Sequence, residues 1–206
     1  MREAPIPPGD GSDAAWVRVP TLLSPDEVRS CLDDTEFVFR LNPYYHFKNF
    51  RPIGPASFRA EFKNESNEQD VNLGFSVERE SPHLLTLRYD GGLKDRTVFS
   101  IEPASGGAVL TIADFYDRLP AEERTSRMAE VDRSLPAWGN ALLVYFRRRR
   151  RWSWLPGWRR YLHGPWMRMT PRARRIVWLL WLISLAEFAF FLFVLLIYVL
   201  EHRRAV

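Results

Sequence analysis

One short run of the chain brings together the side chains best suited to acid–base chemistry. Asn42-Pro43-Tyr44-Tyr45-His46-Phe47 holds two phenols and an imidazole at three consecutive positions. Such groups can transfer protons, or form hydrogen bonds to the polar end of a bound molecule. The pattern is also typical of a packed aromatic corner with exposed polar tips, which we favour over catalysis. We therefore expect no catalytic residue, and contact between Tyr44, Tyr45 or His46 and a ligand stays open.

The other reactive side chains are scattered along the sequence. The four histidines are His46, His83, His163 and His202. No two of them have metal-ligand spacing, and no cluster of Asp and Glu replaces them. Cys31 falls inside a predicted helix, which indicates a buried structural thiol, and Asp114 and Asp117 are interpreted as surface carboxylates. The sequence therefore predicts no metal and no cofactor.

The charge of the chain is divided between an acidic body and a basic tail. The 206 residues carry a net charge of +4. Residues 1–132 hold 15 Lys and Arg against 23 Asp and Glu, which gives −8, whereas residues 133–206 hold 14 against 2, which gives +12. The single cysteine excludes a disulfide framework and a multi-cysteine metal site. This length fits one domain with an appendage.

The tail contains a predicted membrane span at Ile176–Leu200. Of its 25 residues, only Ser184 and Glu187 are not apolar. A helix of this length crosses the hydrocarbon core of a bilayer, which is about 30 Å thick. The carboxylate of Glu187 is costly at that depth. It indicates either contact with another transmembrane helix or a quinone-like ligand, or a neutral Glu that a very hydrophobic anchor tolerates.

The arginines around the span predict its orientation. Eleven arginines lie between residues 147 and 175, and only Arg203 and Arg204 follow the span. Because positive charge marks the cytoplasmic side, we expect a cytoplasmic N-terminal domain and a short external tail, residues 201–206. The N-terminus has no signal-peptide pattern. The sequence thus predicts a tail-anchored, single-pass protein, most simply of a bacterial inner membrane.

Residues 152–175 form a basic, tryptophan-rich segment next to the span. Tryptophan prefers the headgroup level of a bilayer and arginine binds anionic lipid, so we expect this segment to lie on the membrane surface rather than to act as a plain linker. Nucleic acid is not an expected partner. The predicted interface residues are Arg147, Arg148, Arg149, Arg150, Arg151, Trp152, Trp154, Trp158 and Trp166.

The body before this segment alternates between helical and strand patterns. Residues 1–15 look disordered, and Trp16–Val19 reads as a short strand. Ser24-Pro25-Asp26-Glu27 is a capping box that predicts one helix up to Arg40. Five segments with period-two alternation follow between residues 56 and 116, separated by turn signals, and predict an antiparallel meander. A long helix is then expected from about Pro120 to Arg151, with Pro136 either kinking it or removing one of its hydrogen bonds.

The alternation also predicts which side chains face the interior. The inward positions of the meander are Phe58, Phe62, Leu73, Phe75, Leu87, Tyr89, Phe99 and Ile101. They face an apolar stripe on the long helix, formed by Met128, Val131, Leu135, Trp138 and Leu142. A curved sheet cannot lie flush on a straight helix. We therefore expect an apolar pocket of some hundreds of cubic ångströms, lined by these residues including Leu135 and Trp138.

The order of these elements resembles the helix-grip fold of the START-related, polyketide-cyclase/dehydrase-like superfamily. The resemblance covers about residues 16–151 and lies in the capping box, in Leu41-Asn42-Pro43, and in the meander followed by a long helix. It implies an α+β fold whose sheet wraps the helix around a hydrophobic cavity. The helix pair that usually precedes the meander is hard to see here, because prolines break residues 41–55, and the membrane span is an addition.

Three functions fit these predictions. The first is a membrane-tethered module that binds a hydrophobic small molecule, lipid-, sterol- or quinone-like. The second is an accessory subunit of a membrane complex, whose cavity aromatic side chains have filled. The third is a cyclase- or dehydrase-type enzyme, which needs a polar dyad or triad inside the cavity.

Overall fold

The computed structural model describes residues 14–118, 122, 131–155, 157, 169 and 171–204. The chain divides into two compact units, Met1–Arg159 and Arg160–Val206. The predicted disorder of residues 1–13 and most of the predicted segment 152–175, Trp158 and Trp166 included, lie outside the described residues.

The first unit is built on one seven-stranded antiparallel sheet. Its strands are β1 (Ala14–Thr21), β2 (Tyr45–Gly54), β3 (Ser57–Asn64), β4 (Gln69–Ser81), β5 (Leu84–Tyr89), β6 (Arg96–Ala104) and β7 (Gly107–Phe115). They lie in the order β1-β7-β6-β5-β4-β3-β2, so the first strand pairs with the last. The five predicted strands of the meander are confirmed as β3 to β7. The first strand begins earlier than expected and takes in Ala14 and Ala15.

Two short helices carry the chain from one edge of the sheet to the other. They are α1 (Pro25–Leu32) and α2 (Thr35–Arg40). The capping box at Ser24 and Glu27 is confirmed. The prediction of a single helix up to Arg40 is wrong, because the Asp34 side chain accepts a hydrogen bond from the Phe37 N–H and starts a second helix. The helix pair that is hard to see in the sequence is therefore present.

The second strand was not predicted from the sequence, because prolines interrupt residues 41–55. Tyr45–Gly54 pairs only with β3, so β2 is an edge strand. Pro52 cannot donate a ladder hydrogen bond, and an edge is where a sheet tolerates such a residue.

The third helix, α3 (Leu135–Trp152), lies against β1. Pro136 stands in its first turn, where a missing N–H costs nothing, so it begins the helix instead of kinking it. The predicted helical start at Pro120 lies outside the described residues, and residues 131–134 are not helical. Gly139 lets the helix approach the sheet closely, because a Cβ there would lie 2.8 Å from a Val17 methyl group.

The inner face of the sheet, α2 and α3 share one aromatic core. The Phe39 ring lies 4.9 Å from that of Phe75 and 5.8 Å from that of Trp138. Phe99 meets Trp138 edge-on at 5.5 Å, and the Trp138 Nε1–H donates to the Val38 carbonyl at 2.9 Å. A curved antiparallel sheet with a long helix on its inner face is the helix-grip, α+β architecture expected from the sequence.

The second unit contains α4 (Pro171–Arg204). Among the described residues it is the one helix long and apolar enough to cross a membrane, over Arg175–His202. The helix extends beyond the predicted span of residues 176–200 at both ends. Glu187 falls near its middle.

Candidate ligand-binding site

A pocket of about 290 Å³ opens at the end of the sheet nearest to the start of α3. Its walls come from the end of β3, the start of β4, the turn between β5 and β6, and the residues that flank β7 and α3. The apolar part of the wall comprises Phe39, Phe62, Val71, Leu73, Leu93 and the rings of Tyr45, Tyr89 and Tyr116. The polar part comprises Asn64, Asn67, Gln69, Asp70, Asn72, Lys94 and Asp132.

Asp132 is the centre of the polar floor. Its carboxylate accepts hydrogen bonds from five groups. They are the Tyr45 hydroxyl, Lys94 Nζ at 3.1 Å, Asn64 Nδ2 at 3.1 Å, Ser66 Oγ at 3.1 Å and the Ser134 backbone N–H at 2.9 Å. One short segment before α3 is thereby fixed to β2, β3 and two turns.

A second carboxylate lies behind the same lysine. Lys94 Nζ is 2.7 Å from Asp114 Oδ2, and Asp114 has no exposed surface. The Thr97 hydroxyl donates to the other Asp114 oxygen at 2.5 Å. Because the hydroxyl proton of Thr97 is used in this bond, Thr97 Oγ1 accepts the hydrogen bond from the Tyr89 hydroxyl, 2.8 Å away. A continuous chain of hydrogen bonds and ion pairs therefore runs from Tyr89 through Thr97, Asp114 and Lys94 to Asp132.

The network fixes the protonation of its members. Burial opposes the charge of Lys94, but Asp114, Tyr45 and Asp132 outweigh it and hold the lysine pKa well above its usual range. Burial also opposes the charge of Asp132, yet Lys94 and the hydrogen bonds from Tyr45 and Ser134 hold its pKa well below the ordinary value. Burial raises the pKa of Tyr45. At neutral pH the floor thus presents an ammonium, an Asp132 carboxylate and a neutral phenol.

The pKa of Asp114 shifts in the opposite direction from the pKa of Asp132. Burial raises its pKa more than Lys94 and Thr97 lower it. Asp132 accepts five hydrogen bonds and sits beside the opening, whereas Asp114 is fully enclosed and accepts fewer. Because of this difference in solvation, the two carboxylates that contact the Lys94 ammonium have different pKa values.

The structure distributes the predicted ligand-contact residues between this pocket and the core. Tyr45, Phe62, Leu73 and Tyr89 line the pocket. Tyr44 is 39% exposed, and His46 pairs with Glu65 at 3.1 Å outside the pocket wall. The remaining predicted residues lie outside the pocket wall and pack inside the domain: Phe58, Phe75, Leu87, Phe99, Ile101, Leu135 and Trp138.

Two sequence-based interpretations need correction here. Asp114 is not a surface carboxylate, because Leu110, Ile112 and Asp114 alternate onto the same buried face of β7. The pocket is not purely apolar, because seven of its seventeen lining residues are polar or charged. The interpretation of Cys31 as a buried thiol is confirmed, since it is 1% exposed.

The two charged residues of the floor, Lys94 and Asp132, were not predicted from the sequence. Lys94 follows a double-glycine turn, and Asp132 precedes a helix, both ordinary surface settings. One signal was available for the first. The chain contains 26 arginines and only three lysines, so a lysine in this turn was an unusual choice. Nothing local marked Asp132, because four of its five donors come from segments that are distant in sequence.

Among the described residues of the predicted membrane interface, one is buried in the domain and the others are exposed. Trp152 and Trp154 are exposed, the latter by 72%. Arg149 is instead buried, and its guanidinium donates to Ser30 Oγ at 2.8 Å and to Cys31 Sγ at 2.9 Å. Its neighbours Arg147, Arg148, Arg150 and Arg151 are exposed.

Among the described residues, no three His, Cys, Asp or Glu side chains come together in a group that could hold a metal ion. The floor instead offers hydrogen bonds from fixed donors and acceptors.

No protein-family model and no curated protein matches this chain. Several solved structures are similar to it. A START superfamily protein from Mycobacterium smegmatis is 18% identical, with 66% of this chain and 96% of that chain covered and a TM-score of 0.47. A protein from Nitrosomonas europaea is 10% identical, with 67% and 96% covered and a TM-score of 0.49. For Ara h 8.0201 the identity is 12%, the coverage 66% and 98%, and the TM-score 0.44.

Proposed function

We propose that this chain is a membrane-tethered binding module whose pocket holds a small hydrophobic molecule with an uncharged, hydrogen-bonding end. The observation that carries the proposal is the division of the pocket into an aromatic wall and a polar floor. Its volume of about 290 Å³ lies at the lower end of the range for small-molecule sites.

The aromatic wall supplies the driving force for binding. Phe39, Phe62 and Tyr45 offer ring surface, and the rings of Tyr45 and Phe62 lie 4.5 Å apart. Apolar surface of a ligand that covers these rings contributes about 25 cal/mol for each square ångström removed from water. Recognition in this part depends on shape.

The polar floor supplies the selectivity. Lys94 is opposed by both Asp114 and Asp132, so the positive charge is already neutralised. Asn64, Asn67 and Asn72 add amide groups that carry no charge. Because two carboxylates face a single ammonium, the floor repels an anionic headgroup, whereas a hydroxyl or carbonyl group forms hydrogen bonds there without such repulsion.

The same protonation states disfavour an enzyme. A triad of Tyr45, Asp132 and Lys94 is present inside the pocket, as a cyclase or dehydrase would need. An efficient proton-transfer group has a pKa near the working pH. All three pKa values are shifted away from neutrality, two upward and one downward. The triad is suited to holding a ligand in place.

An accessory subunit without a ligand is the second candidate. The specific observation in its favour is the aromatic filling of the interior. Phe39 stacks on Phe75, which stacks on Phe58 at 5.5 Å, and Trp138 closes the inner side. The space between helix and sheet is filled by these rings, so any ligand is restricted to the outer pocket.

The tether is proposed from α4. Its apolar length fits a bilayer, and the arginines that precede it fit the cytoplasmic side. Membrane lipids are then partners of the chain, and Glu187 offers a contact to another membrane protein.

The proposal is tested on the full-length protein purified from its own membrane. Native mass spectrometry with organic extraction should detect a small apolar molecule in the wild type. Leu73→Trp fills the pocket and should abolish that signal. Ile53→Trp adds the same bulk at an exposed position outside the pocket and should preserve it. If the wild type carries no molecule and binds no apolar probe, the binding module is excluded and the accessory subunit takes its place.

A further inference from the structure

A second cavity lies at the opposite end of α3 from the pocket. Its volume is about 640 Å³, and it opens between the end of β1, the turn from β6 to β7, and the last turns of α3. We call it the arginine groove. The apolar side chains that form its floor are Pro20, Leu22, Ala108, Val109, Leu143 and Phe146.

Three arginines form the rim of this groove: Arg147, Arg150 and Arg151. All three are exposed, and no described carboxylate pairs with them. Arg150 Nη1 donates to the Leu22 carbonyl at 2.7 Å, which fixes one guanidinium beside the apolar floor. Among the described residues, the groove therefore combines positive charge that no carboxylate balances with exposed apolar surface, since Leu22 is 63% exposed.

Neighbouring arginines of the same run behave differently. Arg149 is buried and donates to Ser30 and Cys31, so it belongs to the core. Arg148 is exposed but does not line the groove. The five consecutive arginines thus have three different settings. Arg149 is part of the core, Arg148 lies on the surface outside the groove, and the other three line the groove.

The position of the groove points to its occupant. It lies at the C-terminal end of α3, immediately before the exposed side chains of Trp152 and Trp154. These are the residue types that prefer the headgroup level of a bilayer, and the apolar α4 follows in the chain. Guanidinium groups bind phosphate with paired hydrogen bonds, and an apolar floor accepts acyl chain.

We propose that the arginine groove binds one anionic phospholipid of the membrane in which the chain is anchored, with its phosphate at Arg147 and Arg151 and an acyl chain against Leu22. The proposal rests on the membrane tether but not on any ligand in the pocket.

The test uses the full-length protein, delipidated in a nonionic detergent and titrated with phosphatidylglycerol or phosphatidylcholine of identical acyl chains. Native mass spectrometry reports the occupancy of the first bound lipid. We expect the wild type to prefer phosphatidylglycerol by at least tenfold. Each arginine near a lipid phosphate is worth about 1 kcal/mol, so Arg147→Gln and Arg151→Gln should each lower that affinity about fivefold.

Two matched controls separate the groove from general attraction. Arg148→Gln removes the same charge from the same helix and should change the affinity less than twofold. Leu22→Ser should weaken binding, whereas Ile53→Ser, an equally exposed apolar position outside the groove, should not. Lipids around α4 give a background that is common to all variants.

The proposal is overturned by any of three results. One is equal binding of the two phospholipids. Another is an equal effect of all three arginine variants, which indicates a diffuse charged surface. The third is loss of phosphatidylglycerol binding in Leu73→Trp but not in Arg147→Gln, which places the lipid in the pocket. Preserved thermal unfolding of each variant shows that the fold is intact.

Discussion

Lys94 Nζ lies 2.7 Å from a carboxylate oxygen of Asp114, in a part of the interior where Asp114 has no exposed surface. The lysine comes from the turn between β5 and β6, and the aspartate comes from β7. This ion pair joins the pocket floor to the sheet, so the pocket and the fold depend on the same contact.

Removal of the lysine should destabilise the whole domain. Lys94→Met leaves Asp114 and Asp132 without their shared cation, and breaking a buried pair costs about 3–5 kcal/mol. Chemical unfolding of the full-length protein, followed by tryptophan fluorescence, measures the loss. The exposed Lys63→Met is the control and should be nearly neutral. A loss below about 1 kcal/mol would mean that the pair is solvated.

The domain should lose stability at alkaline pH. Burial raises the pKa of Tyr116 to about 12, and it also raises the pKa values of Tyr45 and Tyr89. Unfolded tyrosines ionise near pH 10, whereas the folded ones keep their protons. The unfolded state therefore binds fewer protons, and the free energy of unfolding falls as pH rises from about 10 towards 12.

The slope of this fall identifies the groups responsible. Each group contributes up to about 1.4 kcal/mol per pH unit, so Tyr116→Phe should make the slope shallower by that amount. Denaturant titrations at several pH values give the measurement, and a slope that Tyr116→Phe does not alter would contradict the assignment.

The contact between α3 and β1 should not tolerate a side chain at residue 139. A Cβ on Gly139 would lie 2.8 and 2.9 Å from the two Val17 methyl groups. Gly139→Leu must push the helix from the strand, and such overpacking costs about 1–3 kcal/mol. Asn140→Leu changes the next, exposed position and should cost far less. Equal unfolding free energies for the two variants would show that the interface yields freely.

The pocket should select against negative charge. Decanol, decylamine and decanoate share one alkyl chain, and we expect decanoate to bind most weakly, about tenfold below decanol. The reason is that Lys94 is already opposed by two carboxylates. Competition with a fluorescent apolar probe gives the affinities. Tightest binding by decanoate would show that Lys94 remains available as a cation.

The orientation of the chain can be measured directly. A reporter that is active only outside the cytoplasm should work after Val206 and fail before Met1, because the arginines precede the apolar helix. The reverse pattern would contradict a cytoplasmic binding domain.

Local patterns in the sequence determined the elements whose causes are local. The capping side chains of Ser24 and Glu27 start α1, the alternation in residues 56–116 specifies β3 to β7, and the apolar run around Glu187 forms α4. Each rests on hydrogen bonds or periodicity within a few residues. The helix-grip order followed from them because an antiparallel meander and one long helix have few ways to bury their apolar faces.

The candidate site was decided by the tertiary structure. Tyr45, Lys94, Asp114 and Asp132 come from four separate segments and meet only when the register of the sheet is complete. The sequence placed Tyr45 near an opening, but Lys94 and Asp132 looked like ordinary surface charges. Their protonation depends on burial and on donors up to 87 residues away, and no local spacing encodes either. The arginine run shows the same limit, since only packing against α1 distinguishes the buried Arg149 from the exposed Arg147.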